Sequence, residues 1–140
     1  MTSRRYIDEA GVRQCAEAIR KNGGEALALH QDVTSEPAWE QVVARTLEAY
    51  GRLDVLVNNA GVAVLKPLEA MTLAEWNRQI DVNLTSVFLG LKYVLKQMLA
   101  QTGGGAIVNT ASTAGLMGSP GMNAYVASKH ALEGLMMCLR

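Results

Sequence analysis

Short apolar segments alternate along this 140-residue chain with segments whose apolar residues recur at helical spacing. The apolar segments lie at 25–33, 53–61 and 106–112, and helical patterns occupy 9–21, 35–50, 72–100 and the region from about 123 onwards. Strands that alternate with helices of this length are typically parallel, because each helical crossover returns the chain to the same end of the sheet. The sequence therefore predicts an α/β fold built on a doubly wound parallel sheet.

The helix boundaries and strand types are also predicted locally. Thr72 and Glu75 form a T-x-x-E capping box for a long helix that should run to about Ala100. Thr34 or Ser35 is expected to cap the preceding helix. The runs LDVLVNNAG and AIVNTAS are typical of strands that are buried on both faces, and EALALHQDV is predicted to be a further strand.

Composition excludes several classes of protein. The chain has 13 basic and 13 acidic residues, so no net charge favours nucleic acid or an anionic membrane as a partner. No apolar run reaches the roughly 20 residues of a membrane span. Cys15 and Cys138 form no metal or redox motif, and no metal site is expected. These features predict a cytoplasmic protein that acts on a small molecule.

Polar residues follow each predicted strand, at the position where ligands bind in open parallel sheets. Asp32 and Val33 end the first apolar run, Asn58 to Gly61 end the second, and Ser112 ends the third. The next helix carries Tyr125 and Lys129, whose spacing of four places both on one helix face. The sequence therefore predicts that these groups meet at one edge of the sheet.

Tyr125 and Lys129 are candidates for proton transfer. Free tyrosine has a pKa of about 10. An ammonium group ~4 Å away stabilises the deprotonated oxygen by only ~1 kcal/mol in water but by ~4 kcal/mol at an effective dielectric near 20. The pair can therefore do acid–base chemistry only in a partly desolvated crevice. The alternative is an ordinary structural contact between helix residues, because Y-x-x-x-K alone is a weak motif. Ser112 could hydrogen-bond a substrate oxygen.

Together these motifs resemble the short-chain dehydrogenase/reductase family. The matching stretches are NNAG at 58–61, IVNTAS at 107–112, YVASK at 125–129, the aspartate of QDVT and Asn83. The resemblance implies a partial Rossmann-like sheet in one NAD(P)-binding domain over residues 1–140. It implies an oxidoreductase that interconverts an alcohol and a ketone or aldehyde by hydride transfer.

The same resemblance implies roles for four catalytic residues. Tyr125 would be the general acid in reduction and the base in oxidation, and Lys129 would assist it and hold the nicotinamide ribose. Ser112 would orient the substrate oxygen. Asn83 would anchor a water relay to the lysine; alternatively, it is a helix polar residue that satisfies a local carbonyl.

Six residues besides Tyr125 and Lys129 would bind the cofactor. By resemblance, Asp32 and Val33 would contact the adenine ring, although Asp32 could equally be a plain turn residue. Asn58, Ala60 and Gly61 would line the cofactor cleft. Arg4 lies where the family selects its cofactor, and a basic residue there favours the 2′-phosphate of NADP; alternatively, it belongs to a solvated N-terminus.

The sequence departs from the family pattern at both ends. No early G-x-x-x-G-x-G is present, and the chain stops at Arg140, so the sequence is interpreted as a fragment truncated at both ends. Gly115, Gly118 and Gly121 look like a phosphate loop, but Pro120 removes a donor and the resemblance makes this the segment between Ser112 and Tyr125. The 140 residues alone are expected to bind cofactor poorly and to be inactive.

Two other functions and an assembly were considered. The chain could be a non-catalytic binding or regulatory relative, or an isomerase or epimerase of the extended relatives, although NNAG argues against the latter. In the family the helices corresponding to 72–100 and 123–140 form dimers and often tetramers. The side chains that would supply this face, or would pack on the chain's own sheet, are Phe88, Leu91, Val94, Leu95 and Met98.

Overall fold

The computed structural model describes residues 9–139 of the chain. Within this range the helices and strands, in chain order, are α1 (Glu9–Lys21), α2 (Glu36–Tyr50), β1 (Val55–Asn58), α3 (Leu73–Ile80), α4 (Ser86–Ala100), β2 (Ala106–Asn109) and α5 (Asn123–Met137). Single 3₁₀ turns lie at Leu68–Ala70 and Thr113–Gly115.

The two strands pair in parallel, in a register that aligns Val55 with Ala106 and Asn58 with Asn109. α3 and α4 make the crossover between them, and α5 follows β2. This order confirms the prediction of a parallel α/β sheet, and the fold is Rossmann-like. Since both strands run in the same direction, their carboxyl ends meet at one edge.

The segment 25–33 is not a strand in the structure, so the prediction of a strand there was wrong. A strand exists only where a neighbour pairs with it. Residues 25–33 have no ladder partner among the described residues, and Val33 at their end lies in a turn.

One face of the sheet is packed and the opposite face is open. Leu56 of β1 is buried in the core, whereas Val55, Val57 and Val108 are each more than half exposed. The prediction that the strands are buried on both faces was therefore wrong for the described residues. Alternation along a strand sends successive side chains to opposite faces, and only the face toward α4 is covered here.

The core lies between α4 and the sheet. Its buried members are Trp39, Leu56, Val87, Leu89, Leu91, Val94, Met98 and Leu132. Three of the five side chains considered above for subunit contacts, Leu91, Val94 and Met98, thus pack inside the chain, and Leu95 packs against them. Phe88 alone of that set is exposed.

The long helix begins as predicted and contains one wide turn. Thr72 accepts a hydrogen bond from the Glu75 N–H at 3.2 Å, and its own N–H donates to the Glu75 carboxylate at 2.9 Å, which confirms the capping box. The helix continues to Ala100 through a π turn at Asp81–Thr85. Such turns insert one extra residue and are frequent at functional sites.

α2 begins directly after Ser35, one of the two residues predicted to cap it, but the expected capping hydrogen bond is not formed. Ser35 occupies the N-cap position, and its side chain makes no capping hydrogen bond. Thr34 instead donates its hydroxyl to Asp32 at 2.7 Å. Gly51 ends the helix in the left-handed conformation, with φ of 75°.

Among the described residues, no helix combines the length and apolar character needed to cross a membrane.

Candidate active site

The carboxyl ends of β1 and β2 are joined by polar side chains. The Asn58 side-chain amide donates to the Asn109 side-chain oxygen at 2.8 Å, so the last residues of both strands are bonded to each other. One step further on, the Thr110 hydroxyl donates to Asn59 Oδ1 at 2.9 Å. The predicted strand endings at 58–61 and 109–112 therefore lie side by side.

Lys129 reaches this edge from α5. Its side chain is almost buried, with 5% exposed, and its Nζ donates to the Thr110 carbonyl at 2.6 Å. The same Nζ lies 5.7 Å from the centroid of the Tyr125 ring. A buried ammonium group requires a hydrogen-bond acceptor, and the strand-end carbonyl supplies one. The structure thus brings Tyr125 and Lys129 together at the end of β2.

Tyr125 is half-buried in the first turn of α5. Its hydroxyl makes no hydrogen bond with any of the residues that the structure describes. The oxygen and its proton are therefore available to a bound molecule, as a proton donor requires.

Ser112 begins the tight turn that packs on α5. Its Oγ accepts a hydrogen bond from the Ala114 N–H at 3.1 Å, and its hydroxyl proton has no acceptor within residues 9–139. In the same turn, a Cβ added to Gly115 would lie 3.1 Å from the Lys129 carbonyl oxygen. Glycine at this position lets the turn after Ser112 approach the helix that carries Tyr125 and Lys129.

Asn83 is buried in the π turn, with 1% exposed, and its amide group makes three hydrogen bonds. Its Oδ1 accepts from the Val62 N–H at 2.8 Å, and its Nδ2 donates to the Val62 carbonyl at 2.9 Å and to Ser128 Oγ at 3.1 Å. Both amide protons are thus in use. The side chain can offer a water molecule only the second lone pair of Oδ1.

The residues predicted to contact adenine have structural bonds of their own. Asp32 accepts from the Thr34 N–H at 3.1 Å as well as from its hydroxyl, which is the turn role considered above. The Val33 carbonyl accepts the Trp39 indole N–H at 2.8 Å. Adenine contact by this pair stays a prediction.

The remaining cofactor candidates differ in exposure. Asn58 is buried, whereas Ala60 and Gly61 are exposed just beyond β1. A Cβ on Gly61 would meet only Asn83 Oδ1, at 3.6 Å, so the backbone there is open to a ligand. Arg4 lies outside the described residues.

Lys66 is a site-supporting residue that the sequence analysis missed. Its N–H donates to the Gly121 carbonyl at 2.7 Å, its own carbonyl accepts from Asn123 Nδ2 at 3.0 Å, and its Nζ pairs with Glu75 at 2.8 Å. The Lys66 ammonium, followed by the Thr72 N–H and hydroxyl, lowers the pKa of Glu75 to about 2. Contacts between residues so distant in sequence leave no local pattern.

The glycine cluster before α5 has structural roles. Gly115 packs on the Lys129 carbonyl, and Gly121 adopts a φ of 75° where its carbonyl bonds to Lys66. These contacts account for two of the three glycines without a phosphate ligand.

Comparison with known proteins gives a consistent result. The sequence model of the family described as short chain dehydrogenase matches residues 6–140. A cyclopentanol dehydrogenase of Comamonas sp. is 46% identical over 126 residues, which are 90% of this chain and 50% of that protein. The chain thus spans about half the length of the curated relatives that it matches.

Solved structures agree with this match. A short chain dehydrogenase/reductase from Burkholderia phymatum in complex with NAD superposes with a TM-score of 0.92 at 34% identity, covering 95% of this chain and 47% of that one. An NAD+-bound xylitol dehydrogenase gives a TM-score of 0.87 at 36% identity, covering 92% and 50%. By its sequence, its fold and the residues gathered at the strand ends, this chain belongs to the short-chain dehydrogenase family.

Proposed function

We propose that the protein is an NAD(P)-dependent oxidoreductase that interconverts an alcohol and a ketone or aldehyde. The observation that carries this proposal is Lys129, whose Nζ is held on the Thr110 carbonyl within 5.7 Å of the Tyr125 ring centroid. The NAD-bound structures that resemble the chain support the cofactor class.

Tyr125 exchanges the proton. In reduction its hydroxyl gives a proton to the substrate carbonyl oxygen, and in oxidation its oxygen takes one from the alcohol. The Lys129 charge stabilises the negative oxygen that remains on Tyr125. Ser112, whose hydroxyl proton lacks an acceptor in the described range, donates to the same substrate oxygen.

The nicotinamide cofactor, when bound, supplies or accepts the hydride. Lys129 fits it, because one Nζ proton is used by Thr110 and two remain for ribose hydroxyls. Asp32 and Val33 are proposed to face the adenine, and Asn58, Ala60 and Gly61 to line the cleft. Asn83 is proposed to anchor a water near Lys129 through the Oδ1 lone pair that its own bonds leave.

Replacing Tyr125 tests the proposal. A hybrid enzyme in which the 126 matched residues replace their counterparts in the Comamonas cyclopentanol dehydrogenase provides the remaining half of the family fold. In this hybrid, Tyr125→Phe is expected to lower kcat by roughly 10²–10⁴, the usual contribution of a general acid–base group, while NAD binding persists. Steady-state kinetics with cyclopentanol measures the change.

Tyr50→Phe is the matched control, because Tyr50 lies exposed at the end of α2, away from the site. It should leave kcat unchanged. Full activity of the Tyr125→Phe hybrid would contradict the proposed chemistry, because another group would then be exchanging the proton.

Cofactor choice is proposed to depend on Arg4, with NADP slightly favoured. A guanidinium group near the ribose forms charge-assisted hydrogen bonds with a 2′-phosphate, which are stronger than its hydrogen bond to a neutral 2′-hydroxyl. In a hybrid that carries residues 1–140 of this chain, Arg4→Ala should therefore weaken NADPH binding more than NADH binding, as measured by fluorescence titration of each cofactor. Equal weakening of both, or of NADH alone, would remove the basis for the NADP preference.

Assembly into a homodimer or homotetramer is also proposed, through the helices at 72–100 and 123–140. Phe88 on α4 and Met137 on α5 are large apolar side chains that are exposed on these helices. Their exposure is compatible with such contacts.

A further inference from the structure

Ser128 carries a fully buried hydroxyl that makes one hydrogen bond within its own helix and one to another helix. It lies in the first turns of α5 between Tyr125 and Lys129 and has 0% of its surface exposed. Its Oγ donates to the Tyr125 carbonyl at 2.7 Å and accepts from Asn83 Nδ2 at 3.1 Å. The hydroxyl therefore connects the backbone of the proton-transfer residue to the π turn of the long helix.

The connection continues to the loop that follows β1. Asn83 holds the Val62 N–H and carbonyl together, as described above. The path Val62–Asn83–Ser128–Tyr125 thus consists of side-chain hydrogen bonds between segments that are 21 and 45 residues apart. In an interior without competing water, each of these bonds fixes the position of both of its partners.

The same loop is held at a second point. Gln79 is one turn before Asn83 and fully buried, and its Oε1 accepts from the Val64 N–H at 2.9 Å. Two amide side chains of the long helix therefore bind alternate backbone N–H groups of the loop. The same loop continues to Lys66, which bonds to Gly121 and Asn123 at the start of α5.

We propose that Ser128 is a positioning residue for the proton-transfer pair. By linking the Tyr125 carbonyl to Asn83, its hydroxyl fixes the position of the first turn of α5 along and around the helix axis, relative to the loop after β1. Tyr125 and Lys129 are thereby held in register with the end of β2. The chemical role of Tyr125 in this inference rests on the proposed function, whereas the hydrogen bonds do not.

Ser128→Ala leaves a buried Asn83 proton without its acceptor and frees the Tyr125 carbonyl from its second bond. Asn83 then holds Val62 less firmly. In the full chain, we expect the Val62 amide to exchange its hydrogen about tenfold faster or more, because exchange reports such local opening. NMR-detected hydrogen exchange measures this change.

Ser86→Ala is the matched control. Ser86 is also a buried helix serine, and its Oγ donates to the Val82 carbonyl at 2.6 Å, but within residues 9–139 its side chain makes no bond to another element. Loss of its hydroxyl should leave Val62 exchange within about twofold of the parent. If Ser128→Ala does not fold, Ser128→Cys, which keeps the volume and weakens the bonds, replaces it in the same comparison.

The kinetic consequence is measured in the hybrid enzyme. Ser128→Ala should lower kcat by about tenfold or more with KM for cyclopentanol little changed, since positioning acts on the reacting geometry rather than on binding. Ser128→Thr, which retains the hydroxyl, should recover part of kcat. If the thermal unfolding midpoint of Ser128→Ala equals that of Ser86→Ala, the loss of kcat is not caused by general destabilisation.

The outcomes separate the two hypotheses. An inactive parent hybrid, or a fully active Tyr125→Phe, would defeat the proposed function. With an active parent, unchanged Val62 exchange or an unchanged kcat in Ser128→Ala would overturn the positioning role alone.

Discussion

Lys129 is a charged residue that is stabilised in a nearly buried position by one backbone hydrogen bond. Its ammonium group is nearly excluded from water, and the Thr110 carbonyl compensates with a hydrogen bond at 2.6 Å. The carbonyl belongs to the backbone just beyond β2, so the lysine is tied to the sheet rather than to its own helix. This anchoring is what makes YVASK more than a surface contact between helix neighbours.

Glu75 gives a prediction at the same scale. Its pKa is about 2 in place of 4.5, chiefly because Lys66 donates to it, so its charged form stabilises the fold. A carboxyl group whose pKa is lowered by folding stabilises the folded state at pH values above its pKa in the unfolded chain. This stabilisation is lost as the pH falls through the pKa in the folded state. Glu75→Gln should therefore lower the urea midpoint at about pH 7, with a difference from the parent that shrinks toward about pH 2.5.

Glu48→Gln is the control for this measurement, since Glu48 pairs with Arg45 in an exposed contact on α2. Its effect on the midpoint at neutral pH should be smaller, as is usual for a surface ion pair. A Glu75→Gln deficit that stays constant across the pH range would show that packing, not charge, is responsible.

At the scale of elements, the approach of α4 to β1 depends on one glycine. A Cβ at Gly90 would lie 2.8 Å from Asn58 Oδ1 and 2.9 Å from Trp39 Cη2. Neither neighbour is free to move, because Asn58 is bonded to Asn109 and the Trp39 indole is bonded to Val33. The helix therefore sits at a distance that only glycine permits.

Gly90→Ala is expected to destabilise the chain by about 1–3 kcal/mol, although alanine has the better helix propensity by about 1 kcal/mol. Gly134→Ala in α5 is the matched control, because nothing lies within 4 Å of its added Cβ. That variant should gain up to about 1 kcal/mol. Urea unfolding measures both, and stabilisation by both substitutions would contradict the close packing at Gly90.

At the scale of the whole molecule, helices cover one face of the sheet, and the other face is exposed within the described residues. Val57, with 58% exposed, and its neighbours on the same face of β1 and β2 present apolar surface to solvent. An open apolar sheet face favours association with another surface. The site residues are therefore assembled on a scaffold of which one face is uncovered within the described residues.

Cofactor binding is predicted at this scale. As an isolated 140-residue polypeptide, the chain should bind NADH and NADPH with dissociation constants above about 1 mM, because Lys129 and the strand ends supply only part of the contacts. Its sequence contains no early G-x-x-x-G-x-G to bind the pyrophosphate. Isothermal titration measures the affinity, with the hybrid enzyme as the positive control. Micromolar binding by the isolated chain would contradict the prediction.

The sequence by itself determined the features that depend on neighbours a few residues away. The capping box of Thr72 and Glu75 and the shared face of Tyr125 and Lys129 follow from local spacing, and the structure shows both of them. Such interactions close within a turn or an alternating run, so they leave a readable pattern.

Only the tertiary structure decided the rest. Whether 25–33 pairs as a strand and which face of the sheet is covered depend on neighbours distant in sequence. The bond of Asn83 to Ser128 spans 45 residues, and that of Lys66 to Asn123 spans 57. These contacts form because the crossover brings separate segments to one edge, and no local pattern encodes which polar groups will meet there.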